Sequence, residues 1–262
     1  MIDPGLINHF IITVSLSTVR MASAFAISPF FGTHLLPGYI RNGIVLSFTF
    51  FIYPLVSPGM PAGMGESIVF FGGIIIKEAF IGLLIGFSGG IVFWAAECAG
   101  AFMDNQRGAT MGGSINPMTE IEDSPLGVLF QQILIVLFFT SGGFLIFLFG
   151  LLKSYQVWPI YSFYPKLDLA LTGYILQQVD TIIRLAVVLA APIVITIFVT
   201  ELGLGLINRF TPQFNVFFLS LPIKSGITSL LLIFYLSILI YALKRHFPTG
   251  DVMFRFLEKV VQ

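Results

Sequence analysis

The sequence is poor in charge, cysteine and histidine. Only 10% of its 262 residues are charged, whereas a soluble domain carries about 25%. The single cysteine, Cys98, excludes an internal disulfide. Basic and acidic residues number 13 each, so a net charge of zero gives no reason to expect nucleic acid as a partner.

Common motifs of metal, nucleotide and catalytic sites are also absent. The sequence has no H-E-x-x-H, C-x-x-C or G-x-x-x-x-G-K-[ST] pattern. The run from Gly86 to Gly90 matches G-x-S-x-G, but a protease would need a base within reach of Ser88. The three histidines lie near chain ends or connectors. We therefore expect no enzyme activity and no catalytic, cofactor-binding or metal-binding residue.

Apolar residues are abundant. The chain is 56% hydrophobic, contains 29 phenylalanines and has a mean hydropathy of +0.96. A helix needs about 20 apolar residues to span a membrane. The runs that reach or approach this length are Leu6–Ile27, Asn42–Val56, Ile68–Phe102, Leu126–Leu152, Leu169–Ile207 and Ser225–Leu243. They predict an all-α, multi-pass membrane protein, a single domain over residues 1–262, with about six long, partly broken helices.

Two further segments receive predictions. Residues 208–224 mix apolar residues with Pro212 and Pro222, which favours a re-entrant or broken piece. In the tail, residues 244–262, Val252, Phe256 and Val260 are spaced by four. That spacing predicts a short amphipathic helix on a membrane or partner surface.

Glycines recur along the third apolar run. Gly82, Gly86 and Gly90 follow one another at intervals of four, so they share one face of a helix. Small residues in this register allow a neighbouring backbone to approach closely. We therefore predict that these three glycines pack against another helix.

Charged residues within or beside the apolar runs form a separate set. Because such charges are costly in lipid, they are usually paired or turned toward protein or water. The residues predicted to be buried polar groups are Glu97, Asp180, Arg184, Glu201 and Lys224. Two interpretations stay open for Asp180 and Arg184. They form part of a proton or substrate path, or they are an internal ion pair or part of a helix end that lies outside the hydrocarbon.

The longest polar interruption runs from Asp104 to Gly127. It reads DNQRGATMGGSINPMTEIEDSPLG and contains Pro117 and Pro125, so its middle cannot be one continuous helix. Loops of this length inside compact domains are usually functional. This loop is therefore the main candidate site in the sequence.

Several short blocks resemble one family. They are DNQRGA at Asp104–Ala109, the NP pair at Asn116–Pro117, SPLG at Ser124–Gly127, and FFLSLPIKSG at Phe217–Gly226. Together they resemble the T subunit of the type III secretion export apparatus, the SctT family. The flagellar counterpart, FliR, is similar in plan, but NQRGA favours the injectisome branch over the flagellar one.

The resemblance implies a structural and gating subunit of a virulence-associated protein-export channel. Such a subunit passes unfolded secreted proteins across the bacterial inner membrane. Its implied partners are the R and S subunits, the large export-gate and switch subunits, and membrane lipid. Much of the assembly would be raised toward the periplasm, where partner helices cover surfaces that hydropathy alone assigns to lipid.

The resemblance also implies that the loop is a gate closing the channel at rest. The implied gate residues are Asp104, Asn105, Gln106, Arg107, Gly108, Met111, Gly112, Gly113, Asn116, Pro117 and Met118. Glycines would let the backbone move, and flexible methionines would seal against varied surfaces.

Two alternatives remain. The loop could be an ordinary assembly loop that only contacts R or S subunits. The whole chain could instead be a self-contained small-molecule or proton-coupled transporter that uses Glu97, Asp180, Arg184 and Glu201.

Overall fold

The computed structural model describes residues 4–32, 36–56, 68–109, 124–162, 169–211 and 216–247. Within these ranges the helices are α1 Pro4–Ile27, α2 Gly38–Val56, α3 Ile68–Arg107, α4 Pro125–Thr140, α5 Gly143–Val157, α6 Leu169–Phe210 and α7 Val216–Lys244, with a short 3-10 helix at Pro29–Phe31. The described residues include no strand. The prediction of an all-α fold is confirmed.

Among the helices of the described residues, five are long and apolar enough to cross a membrane. They are α1, α2, α3, α6 and α7, and α4 with α5 forms a further, bent pair. Counting that pair as one broken span gives six. The prediction of a multi-pass membrane protein with about six long, partly broken helices is therefore confirmed.

One detail of the segment prediction is wrong, and another holds in part. The run Leu126–Leu152 is not one helix, because α4 ends at Thr140 and α5 begins at Gly143, directly after Gly142, whose φ of 79° suits glycine. The predicted break over residues 208–224 is present, since α6 ends at Phe210 and α7 begins at Val216, but Pro222 lies inside the continuous helix α7. An interior proline removes one N–H and crowds the carbonyl four residues earlier, at a cost of about 3 kcal/mol that the rest of a long helix can offset.

The chain divides into two compact units. The described residues of the first unit lie within 1–90 and 142–176, and those of the second lie within 91–141 and 177–247. The long helices α3 and α6 each contribute residues to both units. The two units are described separately.

A buried ion pair lies at the centre of the first unit. Arg20 of α1 and Glu78 of α3 are both 0% exposed. The Arg20 Nε donates to Glu78 Oε2 at 2.7 Å, and Nη2 donates to Oε1 at 2.9 Å. The guanidinium also donates to the Ser154 hydroxyl and the Trp158 carbonyl. This bidentate pair therefore joins α1, α3 and the end of α5.

A second cation completes this cluster. The Lys77 Nζ lies 2.9 Å from Glu78 Oε1. It also donates to the backbone carbonyls of Pro159, Ile160 and Ser162, at 3.0, 2.7 and 2.9 Å. These bonds from Lys77 hold the segment that follows α5 against α3 through the backbone carbonyls of that segment.

The glycine face of α3 lies against α1. A methyl group at Gly82 would meet the Ser23 hydroxyl and the Arg20 carbonyl, and one at Gly86 would meet the Ala24 carbonyl. Gly90 is buried. The helix that approaches Gly82 and Gly86 is therefore α1 of the same chain, and the missing side chains allow Arg20 to reach Glu78.

Replacing Glu78 with Gln should strongly destabilise the protein, because it leaves the buried Arg20 without its counter-charge. Removing one partner of a buried ion pair costs about 3–5 kcal/mol. Thermal unfolding of the purified protein in detergent measures the effect. The control is Asp180→Asn, whose pair has side chains 65% and 75% exposed and should contribute only about 0–1 kcal/mol. Equal melting temperatures for the two variants would contradict the prediction.

Alanine substitution along α3 should distinguish packed glycines from free ones. Gly86→Ala should lower the melting temperature, because its methyl group meets α1 backbone. Gly72→Ala is the matched control in the same helix, since nothing lies within 4 Å of its added methyl group. That control should be neutral or stabilising by about 0.5–1 kcal/mol through helix propensity. A stabilising effect of Gly86→Ala would contradict the packing interpretation.

Candidate functional site

The two ends of the Asp104–Gly127 loop lie in the second unit. The structure describes residues 104–109 and 124–127 of this loop. Met111, Gly112, Gly113, Asn116, Pro117 and Met118 lie outside the described residues. Their gating role stays a prediction, and the geometry below concerns the base of the loop.

Asp104 joins the end of α3 to the start of α4. Its side chain is fully buried, and its Oδ1 accepts from Arg107 Nε at 2.7 Å. Its Oδ2 accepts from the Ser124 hydroxyl at 2.5 Å and from the Leu126 backbone N–H at 2.8 Å. One carboxylate thus binds residues on both sides of the loop.

The first turn of α4 suits this contact. Ser124 is the N-cap residue, and its Oγ accepts from the Gly127 N–H at 2.9 Å. Pro125 follows at the first helical position, where its missing N–H costs nothing. The free N–H groups and positive end of the helix dipole stabilise the Asp104 carboxylate. The sequence at the start of α4 therefore favours a contact with an acidic side chain.

Glycines bring α3 and α4 into backbone contact beside Asp104. A methyl group at Gly100 would lie 2.6 Å from the Gly127 Cα. One turn further back, Gln131 donates to Glu97 Oε2 at 3.1 Å. Glu97, Gly100 and Asp104 therefore all contact α4. Their spacing of three and four residues places them on one face of α3.

The second family-like block reaches the same place. Arg107 Nη1 donates to the Ser225 hydroxyl of α7 at 3.3 Å. The next residue, Gly108, has a φ of 82°, and a methyl group there would collide with the Leu221 side chain. DNQRGA and FFLSLPIKSG are thus in contact. Sequence reasoning did not single out Leu221 or Ser225, because nothing local links them to Arg107.

The other polar residues have different surroundings. Lys224 Nζ lies 2.9 Å from Glu201 Oε1, with Lys224 8% and Glu201 58% exposed. Asp180 and Arg184 pair at 3.2 Å, and Glu97 is half-buried. Among the described residues, Asp180, Arg184 and Glu201 are exposed, so their burial stays a prediction that depends on contacts outside this chain. They lie on a part of α6 that the described helices leave uncovered.

The remaining gate and catalytic candidates are also placed. Asn105 and Gln106 are exposed in the last turn of α3. In the first unit, Ser88 Oγ donates to the Leu84 carbonyl at 2.8 Å and lies 3.1 Å from the Tyr174 hydroxyl. Among the described residues, no group of three or more His, Cys, Asp or Glu could hold a metal ion.

Comparison with known proteins covers most of the chain. A family model described as bacterial export proteins, family 1, matches residues 11–249. Yop proteins translocation protein T of Yersinia pestis is 42% identical over 233 residues, 88% of each chain. Secretion system apparatus protein SsaT of Salmonella typhimurium is 34% identical over 258 residues, 96% of each. Flagellar biosynthetic protein FliR of Bacillus subtilis is 24% identical over 230 residues, 87% of this chain and 88% of its own.

Replacing Asp104 with Asn should loosen the first turn of α4. The substitution removes the charge that pairs with Arg107 and weakens the acceptor for Leu126 N–H. Loss of a helix N-terminal acceptor costs about 1 kcal/mol, which corresponds to roughly fivefold faster amide exchange. Hydrogen exchange of the peptide containing Leu126 and Gly127 measures this. Glu97→Gln, on the same face, is the control, and unchanged exchange in Asp104→Asn would contradict the assigned role.

Proposed function

Because the chain belongs to the bacterial export proteins, family 1, we propose that it is a non-enzymatic subunit of a type III protein-export channel in the bacterial inner membrane. The carrying observation is the similarity to Yop translocation protein T over 88% of both chains. The set of apolar helices long enough to span a membrane agrees with this location. Its substrates are unfolded secreted proteins, and other subunits supply the energy.

The alternative of a self-contained transporter has less support. The named relatives are secretion, translocation and flagellar biosynthetic proteins. A proton or substrate path would need its charged groups in a sheltered polar cavity. Asp180, Arg184 and Glu201 instead have more than half of each side chain exposed at the surface of the chain.

Partner subunits account for the large apolar surface. On α6 and α7 the side chains of Ile195, Phe198, Ile233 and Phe234 are each 59% or more exposed. Exposed apolar surface on this scale marks contact with lipid or protein. We assign part of it to R and S subunits, with the large export-gate and switch subunits as further partners. We also propose that much of the assembled complex is raised from the membrane toward the periplasm.

We assign the gate to the loop between Asp104 and Gly127. Support comes from its base, where Asp104 holds the end of α3 and the start of α4 together. A closed base lets the intervening residues act as a unit, and their glycines and methionines suit a seal that yields to a passing chain. The alternative is an assembly loop that contacts R or S subunits without closing the channel.

Deleting Gly112–Met118 tests the gate. The shortened chain should still assemble, because the Asp104 contacts at the base remain, but the resting complex should leak ions across the membrane. Conductance of inner-membrane vesicles measures the leak, and co-purification of R and S subunits measures assembly. A chain carrying the same residues in scrambled order controls for loop length. Intact assembly with no added conductance would favour the assembly-loop alternative.

A further inference from the structure

Helix α7 contains two residues with low helix propensity, Pro222 and Gly226, only four positions apart. Pro222 lies inside the helix and has no N–H to donate to the Phe218 carbonyl. Gly226, one turn later, would have nothing within 4 Å of an added methyl group, so packing does not require a glycine there. Prolines and glycines are the usual sites of helix bending. The segment Pro222–Gly226 is therefore where α7 bends most easily.

The end of α3 contacts α7 on both sides of Pro222. Gly108 packs against Leu221, the residue before the proline. Arg107 donates to Ser225, which follows it. Arg107, the last residue of α3, and Gly108, the residue that follows it, thus touch α7 on both sides of Pro222. A bend at Pro222 would move Leu221 relative to Ser225, so both contacts could not persist.

An ion pair stabilises each of the two helices that make this contact. Arg107 is held by the buried carboxylate of Asp104, which also accepts from α4. On α7, Lys224 is buried and pairs with Glu201 of α6 at 2.9 Å. The Arg107–Ser225 hydrogen bond is 3.3 Å long and only part-buried. This hydrogen bond is therefore weaker than the Asp104–Arg107 and Glu201–Lys224 ion pairs on either side of it.

We propose that Arg107 and Gly108 form a clasp that holds α7 straight across Pro222, and that export requires this clasp to release so that α7 bends between Pro222 and Gly226. The proposal rests on the export function above and adds a control element to it. Arg107 and Ser225 are positioning residues, because they act through the conformation of α7.

Hydrogen exchange tests the clasp in the assembled complex. Ser225→Ala should accelerate exchange of the α7 amides around Pro222 by about tenfold, since a hydrogen bond to a charged group is worth at least that factor. Ser225→Thr keeps the hydroxyl and should restore slow exchange. Ser229→Ala, one turn further along α7, removes an exposed hydroxyl bonded within the helix and should change nothing. Equal exchange in Ser225→Ala and wild type would overturn the clasp.

Stiffening α7 tests whether bending is needed. Gly226→Ala should lower the export rate roughly twofold to fivefold through helix propensity alone, and Pro222→Ala should lower it further. The matched controls are Gly203→Ala, also with open space around it, and Pro192→Ala, both in α6. Secretion of a reporter protein is measured at equal complex abundance. Wild-type secretion in both α7 variants would overturn the bending step.

Failure of this proposal is distinguishable from failure of the proposed function. If removing the whole chain abolishes secretion while the stiffened α7 variants secrete normally, the export function stands and the bending step is wrong. If removing the whole chain leaves secretion intact, the export function itself is wrong. Reduced secretion in the control variants would show that any stiffening acts, and would also contradict a specific role for Pro222–Gly226.

Discussion

A buried carboxylate must have each oxygen bonded to a donor, and this constraint organises both units of the chain. Glu78 accepts from Arg20 and Lys77 in the first unit, and Asp104 accepts from Arg107, Ser124 and a backbone N–H in the second. An apolar chain has few other directional contacts with which to select one arrangement of its helices. Leaving either carboxylate unpaired would be costly, so the helices that supply its donors are fixed in register.

Glycines make these contacts possible. Backbone contact between α3 and α1 at Gly82 and Gly86, and between α3 and α4 at Gly100, brings short polar side chains within bonding distance. Apolar side chains alone cannot drive helix association in lipid, because lipid tails are equally apolar. Close backbone packing and paired charges therefore act together along α3, which contributes to both units.

Buried, paired carboxylates hold some regions of this export subunit in one conformation, whereas other regions can bend. The base of the loop is tied by a buried, fully bonded carboxylate, whereas α7 contains a proline and an unpacked glycine. A channel subunit must keep its assembly while part of it changes shape. Arg107 contacts both regions, because it pairs with Asp104 at the base of the loop and donates to Ser225 of α7.

The sequence by itself determined the all-α membrane fold, because apolar runs of membrane-spanning length have few other solutions. Spacing along one helix also determined that Gly82 and Gly86 share a face of α3. Only the tertiary structure decided that Arg107 meets Ser225, that α1 covers Gly86, and that Asp180 stays exposed. Contacts between distant segments depend on how helices pack, and one helix's periodicity says which face is special without saying what that face will meet.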